Sequence, residues 1–175
     1  YRLDGGNRVF YALGYTEQDH SATSTADDLD SEKLAHTIGV LLPVTRSSFL
    51  RLGYTREERD AEKSTADARA KMDRETDGYN VGLFWLPAPA HRIQAFYSVN
   101  DDDYETKLST NPHIRADERT TIGVNYTLDA GVLTPVLENW KLVANYTSRE
   151  TDSNLMIYNV ETETVSVSAR RKFDF

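Results

Sequence analysis

Along most of this chain apolar and polar residues alternate with a period of two, the spacing of β-strands whose two faces meet different surroundings. In the first such segment Val9, Tyr11, Leu13 and Tyr15 fall on one side, and Arg8, Phe10, Ala12 and Gly14 on the other. The beat returns with Leu34, Ile38, Val40 and Leu42; with Leu50, Leu52 and Tyr54; and with Tyr79, Val81, Leu83 and Trp85. It continues with Ile93, Ala95, Tyr97 and Val99; Ile122, Val124, Tyr126 and Leu128; and Trp140, Leu142, Ala144 and Tyr146. It ends with Val165, Val167, Ala169, Phe173 and Phe175. Eight strands are predicted, over residues 7–17, 33–43, 47–57, 77–87, 91–101, 118–129, 138–149 and 162–175. They are expected to form one all-β domain, 1–175, an antiparallel up-and-down β-barrel to which this chain contributes eight strands.

The opposite side of these segments is small or polar: Thr37, Gly39, Gly53, Asn80, Gly82, Gln94, Ser98, Gly123, Asn125, Asn145, Ser166 and Ser168. A soluble sandwich or lipocalin-like barrel turns its apolar side inward, whereas a transmembrane barrel turns it to lipid and keeps a polar interior. Period alone does not choose between them. Loop spacing does: connections at 43–47, 87–90 and 129–138 are short, and those at 17–33, 56–77, 100–119 and 149–163 are long. Short turns on one side and long loops on the other are the transmembrane barrel pattern. Each apolar side also carries aromatics near its ends. Tyr15, Tyr54, Tyr97 and Tyr146 lie toward the long loops; Trp85, Trp140, Phe173 and Phe175 lie toward the short turns. Two such girdles are expected where amphipathic rings settle at the headgroups. Val165, Val167, Phe173 and Phe175 make a final strand closing on an aromatic, read as a C-terminal assembly signal for the barrel-assembly machinery.

A hairpin repeat of about forty residues runs through the chain. Gly14-Tyr15-Thr16 is echoed by Gly53-Tyr54-Thr55 and Asn145-Tyr146-Thr147; Thr37-Ile38-Gly39-Val40 by Asn80-Val81-Gly82-Leu83 and Thr121-Ile122-Gly123-Val124. Four hairpins place both ends of the chain on the short-turn, periplasmic side.

Composition narrows the classes further. A net charge of −8 disfavours general nucleic-acid binding. No cysteine is present, so disulfides and thiolate metal sites are excluded. No apolar run is long enough for a transmembrane helix, whereas a membrane strand needs only about 9–11 residues with every second one apolar. The chain opens at Tyr1 straight into a strand, so either a leader has been removed or the sequence is a piece of a longer protein.

The stretch Thr121-Ile122-Gly123-Val124-Asn125-Tyr126, then Leu133-Thr134-Pro135, then Tyr146 to Leu155 with Tyr158, resembles the C-terminal hairpins of outer-membrane β-barrel porin domains that accompany exopolysaccharide-export systems. The barrels of surface lipoprotein assembly modifiers are similar. Asp152-Ser153-Asn154, followed by Tyr158 and a basic-aromatic last strand, is the most specific part, and about the last third of the chain is covered. The resemblance implies a bacterial outer-membrane channel for export or diffusion, in contact with outer-membrane lipids, lipopolysaccharide and a periplasmic export partner. Those barrels generally have more than eight strands, which implies that this chain is the closing portion of a larger one. Without the resemblance, a complete eight-stranded barrel with a structural, adhesion or binding role through its long loops is the alternative.

Arg8, Arg51, Arg92, Lys141, Arg170 and Lys172 all have the parity of the polar side, most of them toward the short turns. They are expected to line the lumen as a basic vestibule favouring anionic cargo, or else to be ion-paired inside a filled barrel. Asp101-Asp102-Asp103 with Glu105 is placed at the base of a long loop, as a solvated acidic stretch or a divalent-cation site beside lipopolysaccharide. Arg56, Arg59, Arg115, Arg119 and Arg149 are placed at outer strand ends, facing lipid phosphates or solvent. The four histidines, His20, His36, His91 and His113, show no catalytic spacing, and no metal, cofactor or enzymatic activity is expected.

Overall fold

A computed structural model describes residues 6–18, 30–62, 65–107 and 111–171. Eight antiparallel strands form one sheet in strict sequence order. They are β1 (Arg8–Gln18), β2 (Ser31–Thr45), β3 (Ser48–Ala61), β4 (Arg74–Ala88), β5 (His91–Tyr104), β6 (Ala116–Asp129), β7 (Trp140–Ser153) and β8 (Val160–Arg171). Each strand pairs with its neighbours in the chain, and β1 and β8 form the two edges of the sheet. Among the described residues the sheet is therefore open; a barrel was the expectation, either complete in these eight strands or continued by further ones.

Register carries the sequence alternation across the whole sheet. Val40, Leu52, Val81, Tyr97 and Ile122 lie side by side in one row. The next row, on the opposite face, is Gly39, Gly53, Asn80, Ser98 and Thr121. A slip of one residue in any strand would exchange the two faces. The predicted parity therefore holds for every strand that is described.

Burial is distributed in an unusual way. The apolar face is exposed: Tyr79 is 60 % exposed, Val81 42 %, Ile122 49 % and Val165 74 %. The buried residues of the strands lie on the other face, among them Thr76, Asp102, Asp117 and Thr121. Neither face carries a second layer, because the sole α-helix among the described residues, α1 (Ala66–Met72), is seven residues long. Unequal crowding of a single uncovered sheet reflects its bend, so the small, polar face is the concave one. Buried apolar residues, such as Ala68, Ala70, Tyr104, Ala130 and Leu155, occur at the ends of the sheet rather than at its middle.

Glycine makes the concave face possible at two places. A Cβ on Gly39 would stand 2.5 Å from the Phe10 ring, and one on Gly123 would stand 2.2 Å from the Phe96 ring. Each ring lies over the bare backbone of the neighbouring strand, a device that rescues glycine in sheets. Phe49 and Phe84 stack on the same face with centroids 4.6 Å apart.

Strands are longer than predicted toward the long loops. β3 runs to Ala61, β4 starts at Arg74, β5 runs to Tyr104 and β7 to Ser153. The cause is alternation that continues through charged residues, whose ladder bonds are as good as those of apolar ones. The β7–β8 connection consequently shrinks to 154–159, shorter than the β6–β7 connection at 130–139, which is built of two three-residue 3-10 turns. The contrast between short and long loops therefore fails at the last two connections.

Candidate functional site on the concave face

The cations expected on the polar side fall on one face. Arg8 pairs with Leu41 and Leu41 with Arg51, Arg92 pairs with Thr127, and Lys141 with Asp129 and Arg170. Lys172 lies outside the described residues, as do Phe173, Phe175 and His20. Arg51 places its guanidinium over the Phe10 ring at 4.7 Å. Arg92 and Lys141, both about half exposed, flank the carboxylate of Asp129 at 3.6 and 3.8 Å. Asp129 is thus an acid at that depth which the sequence reading did not pair with them. Parity contained the signal, because Asp129 continues the face of Asn125 and Thr127.

A denser set of charges lies at the opposite end of the same face, toward the long loops. Asp102 is almost fully buried. It accepts from the Thr76 hydroxyl at 2.5 Å and from Arg119 Nη2 at 2.8 Å, with Arg119 Nε 2.5 Å from its second oxygen. Arg74 Nε is 3.9 Å away. Glu57 lies between Lys33 at 3.5 Å and Arg59 at 3.6 Å. Arg115 pairs with Asp117, donating from Nε at 2.9 Å, and its guanidinium sits between the rings of Tyr104 (4.6 Å) and Tyr158 (3.7 Å). Arg74, Arg115 and Arg119, with Asp102, Asp117 and the two tyrosines, line an open cleft of about 250 Å³.

These positions correct three expectations. Asp101, Asp102 and Asp103 are not at a loop base but inside β5, with Asp102 turned inward and its two neighbours outward. Arg59 and Arg119 do not face lipid phosphates, because Arg59 shares the parity of Arg51 and Gly53, and Arg119 that of Thr121 and Gly123. Arg115 is held in the concave cluster by Asp117. Of the five outer arginines, Arg56 lies on the apolar face, 2.7 Å from Glu75. Arg149, opposite Thr121, is exposed.

The loop before β4 supports this end of the sheet. Thr65 caps α1 by accepting from the Ala68 amide, and Asp73 at the other end accepts from the Ala61 amide (2.7 Å) and from Arg69 Nε (2.6 Å). The Asp73 carboxylate raises the Arg69 pKa, and its bond from the Ala61 amide ties the helix to the end of β3.

On the convex face the described girdle residues Tyr15, Tyr54, Tyr97, Tyr146, Trp85 and Trp140 all share the apolar parity. Tyr54 donates to Asp77, and Tyr146 to Glu163 at 3.0 Å, so each ring stays in the apolar band while its hydroxyl reaches the first acid beyond it. His36 and His91 lie on this face too, each bonded to a tyrosine hydroxyl at 2.7 Å, of Tyr11 and Tyr126. Among the described residues no group of His, Asp and Glu is arranged to hold a metal ion. No protein-family model matches the chain, and no curated protein matches it.

Proposed function

We propose that this sheet is wall of a bacterial outer-membrane β-barrel that passes a polar, preferentially anionic cargo, its convex face in lipid and its concave face toward a watery lumen. The observation that carries the reading is a slant common to both aromatic bands. The register row of Tyr15 runs through Leu34, Glu58, Glu75, Asp103 and Ala116, and continues to Asn154, the residue just past the end of β7, whose amide donates to the Ala116 carbonyl. The β7 tyrosine, Tyr146, is eight residues from Asn154, displaced toward the short turns over six strand-to-strand steps. That is a slide of about 1.3 residues per strand, or about 4.5 Å along for each 4.8 Å across, an incline of roughly 43°. The row of Trp85 reaches β7 at Ala144 through Ile93 and Tyr126. Trp140 lies four residues beyond, in the same direction, three strands away. The two bands slide at the same rate.

Strands of transmembrane barrels tilt by about 35–45°. On strands so tilted, residues that slide by this amount stand at one height, as a girdle at a flat membrane surface must. A water-soluble protein has no reason to keep two aromatic bands parallel at that slant, nor to leave the face between them bare of a covering layer. The resemblance of the last third to export-associated porin domains supports a channel in particular, and so do the half-exposed Arg92 and Lys141. A closed, filled eight-stranded barrel serving as a binding platform is the second reading. It draws on the Phe49–Phe84 stack and on the rings over Gly39 and Gly123.

Planar-bilayer recording separates them. The channel gives a steady conductance whose anion preference falls or inverts when Arg51, Arg92 and Lys141 are replaced by Glu. A folded, inserted protein that passes no current removes the channel and leaves the platform.

A further inference from the structure

Lys33, Arg59 and Arg74 stand directly opposite one another on β2, β3 and β4, in a single register row of the concave face. Like charges opposite each other in a sheet destabilise it. Here they are also largely withdrawn from water: the Arg59 and Arg74 side chains are 17 % and 14 % exposed. The Nε atoms of both are buried without a hydrogen-bond partner. Among the described residues, Glu57 is divided between Lys33 and Arg59, and Asp102 between Arg74 and Arg119, so two carboxylates serve four cations. A sheet that only needed ion pairs would have alternated the signs along this row. A row of cations in excess of the acids that pair with it, two of its members largely withdrawn from water and one, Arg74, lining a cleft, suits an oxyanion bound by charge-assisted hydrogen bonds.

We infer that the row Lys33–Arg59–Arg74, with Arg119 and the adjoining cleft, is a binding site for an oxyanion, a phosphate, sulfate or carboxylate group borne by a small solute or repeated along a polymer. The guanidinium groups of Arg59 and Arg74 supply paired donors, Lys33 supplies a mobile point charge, and Tyr104 holds the Arg74 head in place by accepting from Nη1 at 3.2 Å. The site depends on the concave face alone and stands whether or not the convex face meets lipid.

The test is calorimetric titration of the folded chain with inorganic phosphate, against chloride at matched ionic strength, with dextran sulfate as a second titrant. Wild type binds phosphate beyond the chloride control. Dextran sulfate binding more tightly per site identifies a polymer ligand, and phosphate binding alone identifies a small solute. Combined Arg59→Gln and Arg74→Gln weakens binding by about tenfold or more, Lys33→Gln by roughly threefold, and Glu57→Gln strengthens it. Lys141→Gln, at the other end of the face, changes nothing. No phosphate-specific binding in wild type overturns the site. Unchanged affinity in Lys33→Gln, the most exposed and most tolerant of the three positions, overturns it even where the double variant does not fold.

Discussion

The two faces of this sheet use the same backbone under opposite rules. On the convex face large apolar side chains stand exposed and touch mainly their neighbours in the sheet: Tyr11, Leu13, Ile38, Tyr79, Val81, Ile122, Val165 and Val167. On the concave face small, polar and charged residues crowd, and the buried groups include Thr76, Asp102, Asp117 and Thr121. In a water-soluble protein the first set would be the core and the second the surface. The difference teaches that stability resides in different terms on the two sides. The concave face is held by hydrogen bonds, ion pairs and ring-over-glycine contacts. On the reading proposed above, the convex face gains its free energy from an apolar medium that covers it; bare in water it is a liability.

The largest effect expected from breaking this contrast is at Asp102. Asp102→Asn leaves Arg119 and Arg74 buried with a neutral partner, and denaturant unfolding in detergent should show a loss of about 3–5 kcal/mol. If the loss is below about 1 kcal/mol, the concave charges are better solvated than their burial indicates. Next comes Val124→Arg against Asn125→Arg, neighbours that differ only in face. In a bilayer the first should cost about 2–4 kcal/mol and the second far less. Equal costs would abolish the distinction between faces. Gly123→Ala pushes a Cβ into the Phe96 ring and should cost about 1–3 kcal/mol, largely recovered when Phe96 is also shortened to Leu. The smallest effect belongs to Asp129→Asn at the wet end of the concave face. It separates two partly exposed pairs, should change stability by under about 1 kcal/mol, and should vanish in high salt.

Face parity was legible in the sequence because a period of two survives any error in strand ends. Strand number and neighbour order followed from it. What alternation did not convey was where each strand stops. Ending β3 near Glu57 detached Arg59 from the parity it shares with Arg51 and sent it toward lipid; two more residues of the same beat would have turned it inward. Asp102 was misplaced in the same way, by reading a run of three acids as a loop when its members alternate across β5. The cation row of Lys33, Arg59 and Arg74 was out of reach for a different reason. It joins three strands, and its existence depends on register, which is fixed by turn geometry and cross-strand packing rather than by any one segment. The slant of the aromatic bands is legible only with that same register in hand.

The central claim is that the convex face meets hydrocarbon and the concave face meets water. The natural absence of cysteine makes it directly testable, since single cysteines at 122, 123, 124 and 125 can carry a nitroxide label without background. In reconstituted liposomes, labels at 122 and 124 should be relaxed by oxygen, which partitions into lipid, and those at 123 and 125 by a water-soluble nickel chelate, in strict alternation. A reversed or flat profile, or a chain that stays monodisperse in plain buffer with position 124 shielded from both reagents, would contradict it.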